Sequence, residues 1–182
     1  MKKTILKFGL ISGAFSSLMM VATLPLENKI GDWAYLLGYT IIVLSFLLVF
    51  FGIRSYREND GNGHITYAKA FAVGISITLI TCAIYVLTWE ITYFNFMHDF
   101  MDKYGAHMVE KLRESGASAA AIQAKMREVK KMKEMYENPL YNSAMTFLEP
   151  FPVGLLITLI SAAILRKRAQ PQPAPTPAPA SY

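Results

Sequence analysis

The sequence predicts an all-α protein, a four-span transmembrane helix bundle with an extramembrane amphipathic helical hairpin between spans 3 and 4. The apolar residues are concentrated in four long blocks, and nearly all charged residues lie between or after these blocks. About 20 helical residues cover the roughly 30 Å hydrocarbon core of a bilayer, which is close to the length of each block. The composition, 53% hydrophobic and 17% charged with one cysteine (Cys82), argues against a disulfide scaffold, a disordered chain and an ordinary cytosolic enzyme.

The four predicted spans are residues 5–24, 33–53, 70–89 and 141–165. The first contains Lys7, whose ammonium group can reach the headgroups while its methylenes stay in hydrocarbon. We expect this span to be retained, because its apolar run exceeds that of a signal peptide and no small-x-small cleavage site follows. The fourth span is interrupted by Glu149, Pro150 and Pro152, so it crosses the bilayer if Glu149 lies at the interface. Residues 1–168 are therefore the predicted membrane domain.

The orientation follows from the basic residues of the short loops, which favour the cytoplasmic side. One side would carry nine of them: Lys2, Lys3, Lys7, Arg54, Arg57, Lys69, Arg166, Lys167 and Arg168. The loop between spans 1 and 2 carries only Lys29, beside Glu27 and Asp32. Aromatic residues gather at the opposite interface, as a headgroup belt does: Trp33, Tyr35, Tyr39, Trp89, Tyr93, Phe94, Phe96 and Tyr141. We therefore predict that the N- and C-termini are both cytoplasmic.

Each span also carries small or polar residues at helical spacing, which lets helices approach closely in a bilayer. These residues are Gly9, Gly13 and Ser17; Gly38, Ser45 and Gly52; Gly74, Thr78, Thr81, Cys82, Tyr85 and Trp89; and Gly154, Thr158, Ser161 and Ala162. The pattern predicts packing within one chain, and a homodimer face is the alternative.

The outer segment, residues 91–138, reads as two amphipathic helices over 93–113 and 118–137 that form a hairpin. Gly116 ends the first helix, Ser118 is a suitable N-cap for the second, and Asn138 followed by Pro139 ends it. The two apolar stripes, predicted to face each other, are Phe94, Met97, Met101, Tyr104 and Met108, and Ile122, Met126, Val129, Met132 and Tyr136.

Two further interpretations of the hairpin remain open. Thioether and imidazole ligands suit Cu(I), and such side chains cluster in the first helix: Met97, His98, Met101, His107 and Met108. Packing and solvation explain the same residues without a metal. The basic face between Lys125 and Lys133 could lie on anionic lipid headgroups, or face solvent or a protein partner.

The candidate site for a ligand or partner consists of Glu90, Glu149, Trp89 and Tyr85. The middle of every span lacks Asp, Glu, Lys, Arg and His, and the two glutamates fall at the outer ends of spans 3 and 4. The alternative is that both are carboxylates at the wet interface. The sequence lacks P-loop, GxSxG, HExxH, CxxC and GxGxxG motifs. We therefore predict no catalytic, cofactor-binding or metal-binding residues and no nucleic-acid binding.

Three segments resemble a bacterial membrane family known only as domain-of-unknown-function 4199. They are GIRSYRENDGNGHITYAKAFAVG (52–74), YVLTWE (85–90) and NPLYNSAMTFLEPFPVGLLITLISAAILRKR (138–168). The resemblance covers roughly residues 4–168 and leaves out the proline-rich tail (169–182), which we expect to be disordered and polyproline-like. It implies a multi-pass membrane protein, and we predict that the protein lies in the bacterial inner membrane. The family has no established activity, so it supplies no site residues.

The leading hypothesis is therefore a non-enzymatic accessory or interaction protein, surrounded by the lipid bilayer, that contacts an envelope protein partner through the outer hairpin. The alternative is a small-solute transporter or transporter subunit with Glu90 and Glu149 at its outer mouth. An enzyme is the least favoured class, because no nucleophile–base or metal constellation is present.

Overall fold

The computed structural model describes residues 1–26 and 33–167, and within these ranges the regular secondary structure is helical. The α-helices are α1 (Lys2–Thr23), α2 (Trp33–Asn59), α3 (Tyr67–Phe96), α4 (Phe100–Glu114), α5 (Ala119–Tyr136), α6 (Pro139–Leu148) and α7 (Phe151–Leu165). A 3₁₀ turn, Leu24–Leu26, follows α1. The predicted disordered tail, Arg168, and the loop containing Glu27, Lys29 and Asp32 lie outside the described residues.

Four helical segments of the described chain are long and apolar enough to cross a membrane. They are α1, residues Leu36–Asn59 of α2, α3, and Pro139–Leu165, which comprises α6 and α7. The predicted all-α fold with four long apolar helices is confirmed. Two of the predicted spans differ in detail: α3 extends beyond residues 70–89 at both ends, and the fourth span is two helices that meet at Glu149 and Pro150.

Helix α3 lies at the centre and packs against α1, α2, α6 and α7. Glycines from the other helices, and Gly74 of α3 itself, make these contacts close. Gly9 and Gly13 of α1 face Ile80 and Ile84, and Gly52 of α2 faces Ile77. In α7, Gly154 faces Phe46 and Thr78. The small-residue stripes therefore pack within the chain, whereas no atom lies within 4 Å of a Cβ built at Gly38.

The interior of this bundle contains many small and polar side chains. Ser12 Oγ donates to the Ser45 carbonyl at 2.7 Å, and the hydroxyls of Thr78 and Thr158 are 2.9 Å apart. Phe46, Val49 and other aliphatic side chains fill the remaining core. Large apolar residues also cover the outside of the helices, including Leu10, Leu18, Leu87, Leu156 and Ile164. Exposed leucines around a partly polar interior are the arrangement expected when lipid surrounds the helices.

Both ends of the described chain lie at one end of the bundle, here named the basal end. The Met1 amine donates to Asp60 Oδ1 at 3.3 Å, and the Ile65 and Lys167 backbones exchange two hydrogen bonds of 2.9 Å. The turn at residues 60–63 lies there, with positive φ at Asn62 and Gly63. The opposite end, named the apical end, contains Phe96 and the α4–α5 pair.

Local signals define the ends of α4 and α5. Gly116 has φ +76° after α4, and Ser118 Oγ accepts a hydrogen bond from the Ala121 amide at the start of α5. Asn138 ends the segment by capping α6, since its side chain accepts from the Leu140 and Tyr141 amides. The predicted start of the first hairpin helix at residue 93 is wrong, because Tyr93 belongs to α3 and α4 begins at Phe100.

We predict that Gly154→Ala destabilises the bundle by about 1–3 kcal/mol, the usual cost of overpacking a core. The new Cβ would lie 2.6 Å from Phe46 Cε1 and 2.6 Å from Thr78 Cγ2. Thermal unfolding of the purified protein in detergent measures the effect. Gly38→Ala is the matched control, because its Cβ would meet open space; equal melting temperatures for the two variants would contradict this packing.

Candidate functional site

A buried polar contact of the apical end joins α3 to α6. Trp89 Nε1 donates to Asn142 Oδ1 at 2.9 Å, and Asn142 is fully buried. The Asn142 amide donates onward to the Tyr136 carbonyl at 3.3 Å, and Thr146 Oγ1 donates to Asn142 Oδ1 at 3.3 Å. One asparagine therefore links α3 and the end of α5 through α6, with both its oxygen and its nitrogen satisfied.

The other three predicted site residues lie beside this contact. Tyr85 Oη donates to Glu149 Oε2 at 3.3 Å, and Ser143 Oγ donates to Glu90 Oε1 at 2.9 Å. Each glutamate thus accepts a hydrogen bond across the boundary between α3 and the fourth span, from a different hydroxyl. All four predicted residues lie along this boundary, although the two carboxylates hold separate positions on it.

The positions of these glutamates along the bundle axis follow from the register between neighbouring helices. Gly9 faces Ile80 and Gly13 faces Ile84, so α1 and α3 run parallel. The charge-free run that begins in α1 and continues through the 3₁₀ turn (residues 8–26) ends near the height of Phe96. At about 1.5 Å per residue, Glu90 lies about 9 Å and Tyr85 about 16 Å below that height. The sequence places Glu90 and Glu149 at the outer interface, and this register puts Glu90 level with the apolar residues near the end of α1.

An aromatic cluster lies next to the polar contacts and continues toward α4 and α5. The ring centroids of Trp89 and Phe100 are 5.1 Å apart, and those of Tyr93 and Tyr136 are 5.7 Å apart. Met101 is buried in the same cluster, and Met20 of α1 packs against it. Burial raises the pKa of the Tyr136 phenol, which keeps this ring neutral in its apolar surroundings. The cluster attaches the α4–α5 pair to the membrane helices.

Sequence reasoning missed Asn142, Ser143 and Thr146. The signal available was the spacing of Asn142 and Thr146, four residues apart and thus on one face of an otherwise apolar helix. Of the residues considered for Cu(I), Met101 is buried in the aromatic cluster, whereas His98 and His107 are exposed. Within residues 1–26 and 33–167, no three His, Cys, Asp or Glu side chains are grouped so that they could hold a metal ion.

A groove of about 630 Å³ runs along the α4–α5 pair. Its apolar lining residues are Gly105, Ala106, Val109, Met126 and Val129, and its charged ones are Asp102, Glu110, Arg113, Lys130, Lys133, Glu134 and Glu137. Gly105 allows α4 to approach Val129 closely. Lys133 Nζ donates to Asp102 Oδ1 at 2.7 Å, and this hydrogen bond raises the pKa of Lys133. Both groups are solvent-accessible, so the ion pair contributes little to stability.

The family model described as "Protein of unknown function (DUF4199)" matches residues 7–167, and the chain belongs to this family. The match agrees with the resemblance seen in the sequence. No curated protein matches the chain significantly, and no solved structure does so.

We predict that Asn142→Leu destabilises the protein by about 1–2 kcal/mol, because the buried Trp89 indole and the Tyr136 carbonyl both lose a hydrogen-bond partner. Thermal unfolding in detergent measures the loss. In a Trp33→Phe background, Trp89 fluorescence should also shift. Asn95→Leu is the control, since the Asn95 amide donates to the Ile91 carbonyl of its own helix. An equal loss in both variants would refute a special role for Asn142.

Proposed function

We propose that this family member is a non-enzymatic membrane protein that binds a protein partner through the α4–α5 pair. The groove between these helices carries the proposal. It combines an apolar floor with charged rims, which is how an interaction surface differs from a uniformly solvated helix face. The non-enzymatic assignment rests on the sequence, in which no nucleophile–base or metal-binding motif appears.

We further propose that the protein lies in the bacterial inner membrane with the basal end in the cytoplasm. Eight basic residues support this orientation, because each lies in or next to a segment at the basal end: Lys2, Lys3, Lys7, Arg54, Arg57, Lys69, Arg166 and Lys167. Basic residues next to membrane helices favour the cytoplasmic side. In this orientation the α4–α5 groove lies on the side of the inner membrane that faces away from the cytoplasm, where it is accessible to another envelope protein.

We predict that a photo-crosslinking amino acid at Met126 forms one discrete protein adduct in intact cells. Met126 lines the groove and its side chain is 53% exposed. Adding Ala106→Arg should reduce the adduct about tenfold, because a long charged side chain on the apolar floor blocks contact at the centre of the interface.

Gln123→Arg is the matched control, since Gln123 is exposed on α5 but does not line the groove. The interaction function is rejected if no adduct forms, or if both arginine variants reduce the adduct equally.

A second candidate function is the transport of a small solute or proton along the boundary between α3 and the fourth span. Glu90 and Glu149 support it, because an ionisable residue within an apolar layer is costly and commonly marks an ion or proton path. Tyr85 and Ser143 would keep the two carboxylates hydrogen-bonded at different heights.

If the protein transports protons, we predict that it dissipates a pH gradient when it is reconstituted into liposomes. The dye pyranine inside the liposomes reports the internal pH. Glu90→Gln combined with Glu149→Gln should reduce the rate to that of empty liposomes, because neither amide can carry a proton as a carboxyl group does. Glu58→Gln is the control, since Glu58 is exposed at the basal end beside Arg57. A wild-type rate equal to that of empty liposomes would reject proton transport.

A further inference from the structure

The basal ends of α2 and α7 bring charged side chains from distant parts of the chain together. Arg57 donates to Glu58 Oε1 from Nε at 2.9 Å and from Nη2 at 2.6 Å. Its Nη1 donates to the Leu165 carbonyl at 3.2 Å, which joins α2 to α7 and satisfies a terminal carbonyl of α7. Lys167 is fixed at the same end, because its backbone exchanges two hydrogen bonds with Ile65.

Positive charge exceeds negative charge where these segments meet. Arg54 lies one turn before Glu58 on α2, and both Arg54 and Lys167 interact electrostatically with the Glu58 carboxylate. Together with Arg57, three cations therefore surround one carboxylate. The next acidic residue along the chain, Asp60, is bonded to the start of α1 instead. This group, the basal cluster, carries surplus positive charge and consists of Arg54, Arg57, Glu58 and Lys167.

An exposed apolar stripe leads to the basal cluster on each of the two helices. On α2, Leu47, Phe51 and Arg54 follow at steps of four and three, so they share one helix face. On α7, Ile160 and Ile164 form a similar stripe in the last turns of the helix. Phe51 is 50% exposed and Ile164 is 66% exposed. Lipid covers such side chains in a bilayer, because the bundle has no other use for leucine, isoleucine and phenylalanine on its outside.

The basal cluster lies where the apolar surface of these helices ends. The charge-free run of α2 (residues 33–53) stops at Arg54, and the charge-free run of α7 (residues 150–165) stops at Arg166. Side chains at the end of the hydrocarbon layer meet the headgroups of the lipids. Basic pockets between transmembrane helices at this level are suited to anionic phospholipid headgroups.

We propose that the basal cluster binds the phosphate of an anionic phospholipid from the surrounding bilayer, whose acyl chains cover Phe51 and Ile164. The guanidinium of Arg54 and the ammonium of Lys167 contact the phosphate oxygens, since both are exposed. Arg57 keeps the Glu58 carboxylate engaged and thereby limits its repulsion of the phosphate. A zwitterionic lipid with the same chains binds less well, because its ammonium group meets the surplus positive charge. This site is independent of the proposed protein partner.

The test uses the full-length protein in a nonionic detergent and two lipids with the same acyl chains, dioleoyl-phosphatidylglycerol and dioleoyl-phosphatidylcholine. Native mass spectrometry counts the lipids that stay bound at each lipid concentration. The first phosphatidylglycerol should bind about tenfold more tightly than the first phosphatidylcholine. Arg54→Gln combined with Lys167→Gln should remove this preference. Arg54→Lys combined with Lys167→Arg should keep it, because both charges are retained.

Lys2→Gln combined with Lys3→Gln is the matched control. It removes the same net charge from exposed positions at the basal end, so the preference should persist. Equal binding of the two lipids to the wild-type protein overturns the inference, as does an equal loss of preference in both glutamine variants or a loss in the charge-retaining variant. Displacement of phosphatidylglycerol by glycerol phosphate at equal concentration would show that the cluster binds a soluble anion and that the lipid assignment is wrong.

Discussion

In a bilayer, helices gain little from burying one apolar surface against another, because lipid tails are as apolar as leucine. Close approach and internal hydrogen bonds must hold them together instead. Here both meet on α3, where Ile80 and Ile84 fit against glycines of α1, and Thr78 meets both Gly154 and Thr158. Helix α3 contacts α1, α2 and the fourth span, while the hydrogen bond from Ser12 to the Ser45 carbonyl joins α1 directly to α2. Substitutions on its contact faces should therefore disturb several interfaces at once.

The apical part of α3 extends these contacts toward the α4–α5 pair. Trp89 and Tyr93 lie on the same face as Thr78 and continue it toward Phe100 and Tyr136. Aromatic rings bury large areas with few rotatable bonds, so such a cluster fixes an attached element firmly. The base of the α4–α5 pair is thus held by the membrane helices, while its far end depends on contacts between α4 and α5 themselves. The membrane helices therefore hold the α4–α5 pair in place, while the groove along α4 and α5 stays accessible.

Much of this architecture could be predicted from the sequence, because the signals are local. Four charge-poor blocks predicted the spans, and Ser118 and Asn138 are caps whose effect reaches only the next few residues. The sequence places Glu90 at the end of span 3, but α3 continues to Phe96, and the Ser143 hydroxyl donates a hydrogen bond to the Glu90 carboxylate. The relative heights of helices depend on side-chain contacts between distant segments. The contact of Glu149 with Tyr85 and the pairing of Asn142 with Trp89 therefore could not be derived from periodicity.

Pro150 and Pro152 remove two amide hydrogens from the fourth membrane helix. The carbonyls of Thr146 and Leu148 consequently cannot accept the hydrogen bonds that a continuous helix would supply four residues later. Unpaired carbonyls in hydrocarbon are costly, so they recruit hydroxyl groups or water. The break between α6 and α7 therefore places backbone carbonyls that lose their usual amide donors in the same turn as the Glu149 carboxylate. Several hydrogen-bond acceptors thus lie together there, and the Tyr85 hydroxyl, 3.3 Å from Glu149 Oε2, is a donor positioned beside them.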